Sequence, residues 1–69
     1  MTAQDDIVKR AVAVHFLLTG LIADLHKAAV EAEGGNLAEV YTGARDWLSD
    51  ADTAVRLGIQ TLAPEEELP

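Results

Sequence analysis

The sequence predicts an all-α fold, an antiparallel helical hairpin that dimerises into a four-helix bundle. Three observations predict it. Two long runs carry apolar residues at steps of three and four, a Gly34-Gly35-Asn36 break divides them, and no segment alternates apolar with polar as a strand would.

The first helix is expected over about residues 3–33. Thr2 can cap it through its hydroxyl, and Asp5, three residues on, favours the positive end of the helix dipole. Ile7, Ala11, Val14, Leu18, Leu21, Leu25, Ala28 and Ala32 form a heptad seam, flanked by Val8, Leu17, Ile22 and Ala29. That stripe is broader than a two-stranded coiled coil needs and matches a bundle helix. In the loop, over residues 34–36, Gly34-Gly35 supplies the left-handed residue that ends a helix. Asn36 is then an N-cap, with Glu39 completing the reciprocal arrangement.

The second helix, expected over about 37–63, repeats the stepping through Leu37, Tyr41, Ala44, Leu48, Ala51, Val55, Gly58 and Leu62, with Val40, Trp47 and Ala54 on its flank. It stops before Pro64, which disfavours helical geometry in the preceding residue. Residues 1–63 are therefore one hairpin domain, and 64–69 an acidic tail expected to be disordered.

A chain of 69 residues buries only about 60% of its unfolded surface, and with no cysteine it has no disulfide to support it. Each seam covers the other, but the flanking rows stay uncovered. Pairing two hairpins about a two-fold axis hides them, which assigns Val8, Leu17, Ile22, Val40 and Trp47 to a dimer interface.

Charge narrows the partners. Twelve acidic against five basic side chains give a formal charge of −7, which repels nucleic acid and anionic membrane. The most apolar stretch, 11–23, is interrupted by His15, Thr19 and Gly20 and falls short of the roughly 20 residues that span a bilayer. The N-terminus is polar and acidic, unlike a secretory signal, so a cytoplasmic protein is expected.

Candidate contact residues lie at the border of the apolar stripe. Phe16 falls almost opposite Leu18 and Leu25 on the helical wheel and should be exposed in a lone hairpin, either covered by a dimer partner or serving as an anchor for another protein. Tyr41 and Arg45 stand one turn apart with Asp52 further along the same edge, either an interface hot spot or a core-edge tyrosine beside an Arg45–Asp52 pair. Trp47 belongs to the core or the dimer interface. Glu39, Asp46 and Asp50 make an acidic ridge.

For catalysis the inventory is thin. His15 and His26 are about 16 Å apart along the helical rise, too far for one metal ion, and each is expected at an edge. There is no cysteine nucleophile, no glycine-rich phosphate loop and no metal-ligand set, so a non-enzymatic protein without cofactor is expected.

The hairpin about Gly34-Gly35-Asn36, the stretch Val14-His15-Phe16-Leu17-Leu18 and the Tyr41/Arg45 edge resemble the quorum-sensing anti-activators encoded by Mu-like phages of Pseudomonas. The resemblance covers the whole chain without a sharp motif. It implies a dimeric early phage protein that inhibits host proteins, namely a LuxR-type quorum-sensing activator and the ATPase that extends type IV pili, the latter denying a receptor to competing phages. Contacts are placed on Tyr41 and Arg45, then Phe16 and Asp46. The alternatives are a structural oligomerisation module and an acidic antitoxin-like or DNA-mimicking regulator.

Overall fold

The computed structural model describes residues 2–68 and consists of two packed helices, α1 (Ala3–Glu31) and α2 (Asn36–Leu62). They form a rod of 49 × 17 × 15 Å with a radius of gyration of 14.8 Å. A compact domain of this length has a radius near 11 Å, so the molecule is one bundle layer rather than a closed globule. No strand occurs among the described residues, and none of their helices is long and apolar enough to cross a membrane.

Local chemistry explains the helix ends. The Thr2 hydroxyl accepts from the Asp5 amide at 3.2 Å while the Asp5 carboxylate accepts from the Thr2 amide at 3.2 Å, a reciprocal capping box at the start of α1. At its far end the left-handed turn begins one residue earlier than the glycines. Glu33 has φ +53°, followed by Gly34 at +88° and Gly35 at +87°. Gly35, not Asn36, stands at the N-cap of α2, and no side chain caps that end. Two successive positive-φ glycines bring the chain round before Asn36, which is already the first helical residue. The Asn36–Glu39 capping arrangement expected from sequence is therefore absent.

The inter-helix seam is rotated from the expected one by a single heptad column. Ala11, Leu18, Leu25 and Ala32 of α1 and Tyr41, Leu48 and Val55 of α2 are half-buried, as the seam requires. The alternate column differs. Ile7, Val14, Leu21 and Leu37 are exposed large hydrophobics, while the neighbouring Val8, Ile22 and Ala29, with Ala38 and Arg45, are half-buried. This column also holds His15, Asp52 and Ile59, the only buried residues among those described. Val8 and Ile22 are thus half-buried within the single hairpin.

The centre of that column explains the rotation. His15 is 1% exposed and Asp52 7%, and the imidazole Nδ1 donates to the Asp52 Oδ1 at 2.8 Å. Burial of both is offset by the bond each makes to the other through Nδ1 and Oδ1, while His15 Nε2 is left without a partner among the described residues. His15 is therefore no edge histidine, and Asp52 is no partner of Arg45. The pairing fixes the register, so that Val8 lies level with Ile59 and Ile22 with Arg45 in an antiparallel hairpin.

At the open end the Gln4 amide donates to the Leu62 carbonyl, one of the orphan acceptors of the last turn. Beyond it Ala63 accepts from the Glu66 amide at 3.0 Å, and Leu68 is half-buried. Pro69, the last residue of the segment expected to be disordered, lies outside the described residues.

Candidate functional site

Rotation of the seam sorts the surface into two unlike faces. One carries the columns next to the seam on the side of Ile7 and Leu37. Large residues project from α1, namely Ile7, Val14, Leu17 and Leu21, and small ones line most of α2, namely Ala44, Ala51, Ala54 and Gly58. Leu37, Val40 and Trp47 complete it. Leu17 is 74% and Trp47 77% exposed, and together with Ile7, Val14, Leu21 and Leu37 they gather exposed apolar surface of the kind that marks interaction sites. A Cβ built at Gly58 meets nothing within 4 Å, so the α2 side is open above the small residues.

The other face is polar. Arg45 lies at its centre, half-buried at the seam and reaching outward. Its Nη1 donates to His26 Nδ1 at 3.0 Å, while Nε and Nη2 donate to Asp46 Oδ1 at 3.2 and 3.1 Å. A guanidinium has no acceptor, so His26 must accept and carry its ring hydrogen on Nε2. Three bonds hold the fork in one geometry, yet Asp46 keeps 65% of its side-chain area exposed and the pair is well solvated. Phe16 is 53% exposed, and its ring lies 5.5 Å from that of His15, tilted by 55°.

The predicted contact residues therefore divide. Arg45 and Asp46 are joined directly, Tyr41 is half-buried in the seam column one turn from Arg45, and Phe16 stands apart toward the other end of α1. Leu17, Val40 and Trp47 share the apolar face, whereas Val8 and Ile22 are withdrawn into the hairpin. Ile7, Val14, Leu21 and Leu37, assigned from sequence to the seam, belong to the apolar face instead. Their exposure could have been foreseen only by asking which heptad column holds a histidine and an aspartate able to meet.

No family model, curated protein or solved structure matches the chain.

Chemistry beyond binding is sparsely provided. Among the described residues no group of three or more His, Cys, Asp or Glu side chains is gathered to hold a metal ion. The buried His15–Asp52 pair has the orientation of a base held by a carboxylate, but its outer Nε2 is sealed from solvent and meets no hydrogen-bond partner among the described residues. A base that cannot reach a substrate does no proton transfer. A cleft of about 540 Å³ lies at the open end, with Val8, Val12 and Leu62 beside Asp5, Glu65 and Glu66. Its rim places carboxylates, the Lys9 amine and aliphatic groups together.

Proposed function

We propose that this chain is a small non-enzymatic binding protein that self-associates through its apolar face and inhibits a larger host protein by occupying a functional surface of it. The observation that carries this reading is the uncovered face from Ile7 to Leu21 on α1 and Leu37 to Trp47 on α2. Area supports it as well. The chain exposes 5006 Å², about 800 Å² more than a compact monomer of 7.4 kDa would. That excess is about one partner's share of a standard protein–protein interface.

A homodimer, completing a four-helix bundle, covers Leu17, Val40 and Trp47. The polar face then stays outside, and the contacts with a host protein fall on Arg45 and Asp46, with Tyr41 beside them and Phe16 further along. The resemblance to the phage anti-activators supplies the candidate targets, a LuxR-type quorum-sensing activator and the type IV pilus extension ATPase, and with them a site of action in the bacterial cytoplasm.

The rival reading is a structural module whose one partner is itself, since self-association alone would cover the same apolar face. Purified chain mixed with each of the two candidate targets separates them. Co-elution of either target, weakened by Arg45→Ala with Tyr41→Ala while the oligomeric state is unchanged, is the expected result. If neither target co-elutes, these assignments fail and the self-associating module stands.

A further inference from the structure

Self-association of this face leaves open how two copies are arranged, and large and small residues on it decide between the two-fold possibilities. We propose that the two hairpins pair about an axis parallel to their helices, so that α1 of each copy lies in the α2 trough of the other. This rests on the self-association reading above.

The His15–Asp52 bond sets the levels along the rod. By that register Ile7 lies nearest Gly58, Val14 nearest Ala51, Leu21 nearest Ala44, and Ala28 nearest Leu37. In each of the four layers one helix offers a large side chain and the other a small one. An axis parallel to the helices keeps the levels of both copies in step and sets α1 over the second copy's α2. In these four layers each large residue then meets a small one across the interface as well as beside it, the alternation that close-packed layers require.

An axis perpendicular to the helices would instead stack α1 on α1 and α2 on α2. With the axis crossing near Leu17, Leu17 would meet its own counterpart and Val14 the second copy's Leu21, crowding large residues together, while Ala44 faced Gly58 and Ala51 faced itself across a void. Overpacking one pair of helices while leaving a cavity between the other is destabilising on both counts.

The chain contains no cysteine, so single introduced thiols report without background. Leu21→Cys and Ala44→Cys are purified separately, mixed, exchanged and oxidised. Val14→Cys with Ala51→Cys is the second pair in case one variant fails to fold, and Leu17→Cys alone reports the stacked alternative. The expected result is a linked species of twice the chain mass in the mixtures, with each variant alone remaining at the mass of one chain. Two outcomes overturn the arrangement: linkage of Leu17→Cys to itself, or a dimer by light scattering whose mixtures do not link. Light scattering that finds only monomer overturns the self-association reading beneath it, and so tells that failure from the other.

Discussion

Replacing His15 and Asp52 by leucine, singly and together, tests the rotated seam most directly. In Asp52→Leu the imidazole of His15 loses the acceptor 2.8 Å away while remaining sealed in the hairpin. Leaving such a group unsatisfied costs about 1–3 kcal/mol. In His15→Leu a carboxylate is stranded in an almost buried site, and an uncompensated buried charge costs about 3–5 kcal/mol. A chain of 69 residues has roughly 3–10 kcal/mol of stability in all, so the second variant should be near the limit of folding. The double replacement presents two aliphatic groups to each other and should recover most of the loss, or exceed the parent by about 1–4 kcal/mol. Thermal melts by circular dichroism, at one fixed chain concentration because association contributes to Tm, give all three values. At about 4–8 °C per kcal/mol the single variants are well resolved. If both singles melt within a few degrees of the parent and their effects add, the two side chains do not meet in a buried seam and the register built on them is wrong.

Other consequences are simpler to read. Gly34→Ala places a Cβ on a residue at φ +88° and should lower stability by about 1 kcal/mol, whereas Glu33→Gly, at φ +53°, should leave it unchanged or raise it by up to about 0.5 kcal/mol, both by thermal melt. Thr2→Ala removes the hydroxyl that accepts from Asp5 and should cost about 1 kcal/mol, with faster amide exchange confined to the first turn of α1. In the monomer, Gly58→Ala gains about 1 kcal/mol of helix propensity in a site with open space around it, and Tm measured on dilute, monomeric protein should rise by several degrees.

Much of the architecture was legible because it follows from local rules. Two helices, the break at the glycines and the Thr2–Asp5 cap come from spacing and side-chain chemistry that need no tertiary information. Half of the seam was legible as well, through Ala11, Leu18, Leu25, Tyr41, Leu48 and Val55. The other half was not, because a step of three or four from Leu18 permits either Val14 or His15 next, and burial of apolar surface favours valine. What decides for histidine is a carboxylate 37 positions away that satisfies it, a fact of pairing invisible to periodicity within one helix. The same one-column shift moved Ile7, Val14, Leu21 and Leu37 outward and Val8 and Ile22 inward. Arg45 was legible as a border residue, but its bond to His26, 19 positions away, required the register.

The open end of the hairpin bears on how the chain can be re-cut. The buried residues, His15, Asp52 and Ile59, all lie in the half remote from the loop, where the Gln4 amide also spans to Leu62. The last turns beside the loop are filled by Ala29, Ala32 and Ala38, small residues with little to bury. Order is thus densest where the ends of the chain come together. A permuted gene that joins those ends through a short linker and begins at Gly35 would keep every seam contact. It would exchange one tight turn for another and move the new termini to the end that contributes least.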